Sequence, residues 1–63
     1  MNKVGERLRS LRGDRTLDVV AKEIGVTRDA ISKYEMGQRV PKDAIKVKLA
    51  RYYQTTVEDL FYA

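Results

Sequence analysis

Four side chains in one short stretch carry chemistry suited to a nucleobase edge. Arg28, Asp29, Ser32 and Lys33 fall at i, i+1, i+4 and i+5, a spacing that places them on one side of a helix. A guanidinium at Arg28 can donate two hydrogen bonds to guanine O6 and N7, and the Lys33 ammonium can donate with looser geometry. A phosphate is the other partner open to Arg28. Asp29 can accept from a cytosine amino group, or pair with Lys33 one turn on and favour the helix dipole. The residues between them, Ala30, Ile31 and Tyr34, are apolar or aromatic and belong to the opposite, core-facing side. Thr27 stands just before the group as the expected N-cap.

These side chains need a scaffold, and the stretch Leu17–Glu35, LDVVAKEIGVTRDAISKYE, supplies one. Leu17, Val20, Ala21 and Ile24 recur at i, i+3, i+4 and i+7, the period of an amphipathic helix, with Thr16 as N-cap and Gly25 as terminator. Two helices joined by a turn of about 3–4 residues and crossing at about 90–120° bring their backbones close together. Ala21 is small enough for that crossing, and Gly25 can take the left-handed conformation of the turn. Val20, Ile24, Val26, Ile31 and Tyr34 then lock the pair. The spacing predicts a helix-turn-helix over about 17–36 with its second helix at about 28–36. Any small helical bundle with a glycine turn is the plainer reading of the same pattern.

Helical periodicity continues on both sides. Val4, Leu8 and Leu11 fall at i, i+4 and i+7, ending at Gly13. Pro41 and Asp43 open a fourth segment with Ile45, Leu49, Tyr52 and Tyr53 along one side. Thr56 caps a last short helix containing Leu60 and Phe61, and Thr56 and Asp59 have capping-box spacing. No strand alternation, repeat or low-complexity stretch interrupts this pattern. The expected fold is all-α, five short helices in one domain over residues 1–63.

Composition narrows the function. The chain of 63 residues has neither His nor Cys and a net charge of +4. A domain of about 60 residues buries only roughly 60% of its unfolded surface, so a partner subunit would help its stability. An ordinary zinc site, thiolate chemistry and a His-based acid/base site are excluded, and no cofactor, metal or small-molecule ligand is expected. There is no Gly-rich phosphate loop. Glu58 and Asp59 are adjacent and so diverge on a helix, which argues against an enzyme. No apolar run is long enough to span a membrane, and Met1–Gly13 is charged throughout, without the apolar centre of a signal peptide. A cytoplasmic protein is expected. Residues 28–51 hold seven basic and three acidic side chains, whereas residues 52–63 hold no basic residue. The middle therefore suits a polyanion and the end another protein, although a solvated surface also accounts for such a distribution.

The chain resembles the lambda-type repressor and Cro family, also called the xenobiotic-response-element family. The resemblance is carried by Ala21, Gly25, Val26, Thr27, Ile31 and Ser32, by YEMGQRVP at Tyr34–Pro41 and by KLARYYQTTVEDLF at Lys48–Phe61. It implies a compact five-helix lambda-repressor-like domain whose third helix enters the DNA major groove. A transcriptional regulator follows from it, a repressor of bacterial, phage or mobile-element genes acting on a palindromic double-stranded operator as a homodimer. On that reading Arg28, Asp29, Ser32 and Lys33 face bases. Thr27, Gln38, Arg39 and Lys42 face the phosphate backbone, where cations release counterions, and Arg15 and Thr16 flank the second helix near phosphate. Leu60, Phe61 and Tyr62 form an apolar end suited either to a dimer surface or to internal packing.

Two departures stand out. The family often carries Gln after the cap of its second helix, where this chain has Leu17 followed by Asp18. Asp18 suits the helix dipole but repels a phosphate. The link from Arg12 to Thr16 is also shorter than in the best-known members. The resemblance further suggests that Arg12 pairs with Glu35, the alternative being two independent surface charges. Some proteins of this fold act as antitoxins or anti-repressors that bind protein, and an interaction module is the main rival to a DNA regulator.

Overall fold

The computed structural model describes residues 3–63, so Met1 and Asn2 of the expected domain lie outside the described residues. Among the described residues there are five helices and no strand: α1 Lys3–Arg12, α2 Leu17–Ile24, α3 Arg28–Glu35, α4 Asp43–Tyr52 and α5 Glu58–Tyr62. The last is wound as a π-helix. Among the described residues no helix is long and apolar enough to cross a membrane.

Local sequence explains most boundaries. The Thr16, Thr27 and Thr56 hydroxyls each accept a backbone N–H three residues on, from Val19, Ala30 and Asp59, at 3.0–3.1 Å. Substituting such a cap by Ala typically costs about 1 kcal/mol. Gly25 ends α2 in the left-handed region at φ +86°, its N–H bonded to the Ala21 carbonyl. A Cβ there would meet nothing within 4 Å, so backbone conformation rather than crowding selects glycine. The fourth helix is less conventional. Lys42 precedes it without a side-chain cap bond, and Gln54 beyond its end adopts φ +58° although it is not glycine.

The core gathers Leu8, Val20, Ala21, Ile24, Ala30, Ile31, Tyr34, Leu49, Ala50, Tyr53, Leu60 and Phe61. All five residues expected to lock α2 to α3 take part, with Val26 at the margin. One expectation is corrected. Leu11, assigned to the inner stripe of α1, is 38% exposed. The inner line of α1 runs through Val4, Gly5, Leu8 and the half-buried Arg12, so Arg12 rather than Leu11 occupies the inner face at that turn. At the other end, Leu60 and Phe61 are 2% and 9% exposed within this one chain. They pack into the core of this single chain, one of the two roles the sequence left open, and Tyr62 is exposed. Arg7 ties this end to α1, donating to the carbonyls of Leu60 at 3.2 Å and Ala63 at 2.6 Å.

Candidate nucleic-acid interface

The α2–turn–α3 unit turns one side of α3 inward. Ala30, Ile31 and Tyr34 are buried, which leaves Thr27, Arg28 and Asp29 exposed and Ser32 and Lys33 half-buried on the outer side. Leu17, Thr27, Arg28, Asp29 and Ser32 line one shallow depression. Three of the four sequence-predicted base-facing residues, Arg28, Asp29 and Ser32, are therefore neighbours in space as well as in sequence. A second depression beside it is lined in part by Thr27, Arg39, Val40 and Lys42. This puts two cations of the following loop at the flank of the same surface. Gln38 is exposed in that loop.

The charges on the outer side of α3 are paired. The Lys33 Nζ lies 3.0 Å from an Asp29 carboxylate oxygen, one turn back on α3. Arg28 Nε lies 3.5 Å from Asp18 Oδ1, across the junction of α3 with α2. Sequence reasoning identified Asp18 as a repulsive element for phosphate but missed its contact with Arg28. Nothing in helical periodicity relates a residue of one helix to a residue of the next. Ser32 Oγ stands 3.5 Å from the Met36 sulfur, and a hydroxyl in that position keeps capacity for a further partner.

Arg15 is not gathered with the others. Its guanidinium lies over the rings of Tyr52 and Tyr53, at 5.2 and 5.6 Å from their centroids, and donates to the Leu11 carbonyl at 2.9 Å. Its main observed contacts are thus internal. Thr16 caps α2 nearby.

Helix α3 is held to α1 by an ion pair that the sequence left open. Arg12 donates from Nε to Glu35 Oε2 at 2.8 Å and from Nη2 to Oε1 at 3.1 Å, a bidentate pair whose side chains are 13% and 8% exposed. The hydrogen bond to Glu35 raises the Arg12 pKa above its usual value, against an opposing contribution from burial. Arg12 Nη1 also donates to the Arg15 carbonyl at 2.7 Å, so the same side chain braces the short link into α2.

Beside this pair, burial pushes the Tyr53 phenol up to about 12, and the Glu35 carboxylate adds to the rise. The unfolded phenol titrates near 10, so the folded state holds that proton more tightly. The stability tied to it is complete below about pH 10 and is lost as the pH rises toward about 12. Denaturant unfolding between about pH 9 and 12 should show falling stability, and Tyr53→Phe should flatten that fall. An identical slope in the variant would place the alkaline loss elsewhere.

Among the described residues no group of three or more His, Cys, Asp or Glu side chains is arranged to hold a metal ion. A family model described as a helix-turn-helix domain matches residues 3–61. Neither the comparison with curated proteins nor that with solved structures finds a match.

Proposed function

The chain belongs to the helix-turn-helix domain family, and from that premise we propose that it is a sequence-specific reader of double-stranded DNA that regulates transcription. One observation carries the reading. An outer face of polar and charged side chains sits on a short helix whose opposite face is fixed in the core, with Arg39 and Lys42 at its flank. In this reading α3 enters the major groove as the recognition helix, and Arg28, Asp29, Ser32 and Lys33 meet base edges. Thr16, Thr27, Gln38, Arg39 and Lys42 hold the phosphate backbone, with Arg15 reaching it on leaving its tyrosines.

The finer assignment is to a repressor of the lambda and Cro kind, with residues 1–63 acting as one domain in the cytoplasm. A single small module reads few bases, so two copies act on a palindromic operator with half-sites about 34–36 Å apart. Leu60 and Phe61 are buried within the chain. The dimer surface therefore centres on exposed Tyr62, beside Val40 in a depression that Lys46 also lines.

Selection from randomised duplexes, followed by binding measured across salt concentrations, tests the proposal. The wild-type protein should recover a palindromic site and bind it with log K falling linearly in log salt. Arg39→Ala and Lys42→Ala should each weaken all sequences alike and flatten the slope by about 0.9. Slopes unchanged in both variants would remove the loop as a backbone anchor. Absence of any duplex binding, together with a tight protein complex, would place the chain among interaction modules instead.

A further inference from the structure

We propose that Asp18 is a specificity-determining residue of this DNA reader, acting as the positioning partner of Arg28. The inference rests on the DNA-reading function proposed above. Arg28 is the first residue of α3, where a cation meets the positive end of the helix dipole and gains nothing from it. Asp18, in the first turn of α2, supplies the missing counter-charge from across the junction. The contact runs from Arg28 Nε to Asp18 Oδ1 at 3.5 Å. A guanidinium engaged at Nε can still present its Nη1–Nη2 edge, which matches the O6 and N7 acceptors of guanine. The carboxylate thereby narrows the orientations from which Arg28 reads.

Asp18 also penalises the wrong site. With guanine in place, Arg28 can satisfy base and carboxylate together. On a base pair without those acceptors, Arg28 is drawn toward a phosphate and the Asp18 charge is left without compensation in the negative potential of the duplex. The same logic recurs at Lys33, which lies 3.0 Å from Asp29. Arg28 and Lys33 are thus each matched by an acid, whereas the flank bears Arg39 and Lys42. Non-specific attraction resides on the flank, and discrimination resides on the reading face. In the free protein the Arg28–Asp18 pair is exposed, at 66% and 77%. Its contribution to folding is accordingly small, and its effect grows when DNA excludes water from the contact.

The test uses Asp18→Asn, which keeps the shape and removes the charge, with Arg28→Ala as the reference. Asp18→Asn should remain folded, with melting lowered by up to about 8 °C, since an exposed pair and a first-turn carboxylate are each worth under about 1 kcal/mol. On the duplex selected by the wild-type protein, Asp18→Asn should lower the guanine preference at one position per half-site by about fivefold or more, within the range a bidentate contact carries. Binding to an unrelated duplex should tighten about two- to fivefold as a repulsive charge is lost. Arg28→Ala should erase preference at the same position, and adding Asp18→Asn to it should change that preference no further. A variant that keeps the full guanine preference and merely binds every duplex more tightly would overturn the positioning role and leave the DNA-reading proposal intact. A wild-type protein that selects no sequence would overturn the DNA-reading proposal itself.

Discussion

Gly5→Ala should lower the melting temperature by more than about 10 °C, and Gly5→Val should prevent folding. Helix propensity alone gives the opposite sign, since alanine in place of glycine stabilises a helix by up to about 1 kcal/mol. Tertiary contact decides the matter. A Cβ on Gly5 would lie 2.9 Å from the Glu35 carbonyl carbon and 3.3 Å from the Tyr34 carbonyl oxygen, with the Glu35 carbonyl oxygen closer still. These are backbone atoms at the end of α3, so no rotamer change relieves the clash and α1 must lift away. Overpacking typically costs about 1–3 kcal/mol and occasionally more. Here the displacement also strains the Arg12–Glu35 pair, whose two members sit on the separating helices. A domain of this size has only about 3–9 kcal/mol of stability in total. Thermal melting by circular dichroism reads the outcome, and an alanine variant at least as stable as wild type would show that α1 does not rest on the α3 backbone.

Removing one partner of the Arg12–Glu35 pair should be nearly as damaging. Glu35→Ala leaves a guanidinium that is 13% exposed without its carboxylate, and because the pair is part-buried the loss should fall below that of a fully buried pair, at about 1.5–3 kcal/mol. Arg12→Ala leaves the Glu35 carboxylate in the same position and also removes the brace on the Arg15 carbonyl. Arg12→Lys should recover little, because an ammonium cannot reproduce two parallel bonds to one carboxylate. The double variant Arg12→Met, Glu35→Leu should be more stable than either single alanine variant, since it leaves no isolated charge. Denaturant unfolding of the four variants beside wild type gives the comparison. Single variants within about 0.5 kcal/mol of wild type, the range of ordinary surface substitutions, would reduce the pair to two independent surface charges.

The helices and the outer face of α3 were legible in the residues because both depend on short-range order. Thr16, Thr27 and Thr56 cap the helices they precede, and Gly25 takes the left-handed turn its position calls for. The alternation of Ala30, Ile31 and Tyr34 with Arg28, Asp29, Ser32 and Lys33 divides α3 into an inner and an outer side before any neighbour is known. Such features are settled within a few residues of chain, by hydrogen bonds three or four positions apart and by the period of the helix.

What the tertiary structure decided lies between elements. Arg12 and Glu35 are 23 positions apart, and Arg7 and Leu60 are 53 apart. The Arg28–Asp18 contact joins two helices. The apolar end could close a core or meet a second copy, and its residues are hydrophobic in either case; the placement of α1 against α5 put Leu60 and Phe61 inside. Leu11 likewise lost its inward place to Arg12, whose carboxylate partner is on another helix. Gly5 carried no signal at all, because a missing side chain has meaning only once the backbone that fills its space is in position. Amphipathic pattern sets which face of a helix turns inward, within about one residue's rotation. Which groups then meet is set by the crossing of whole helices, a property of the packed assembly rather than of any one segment.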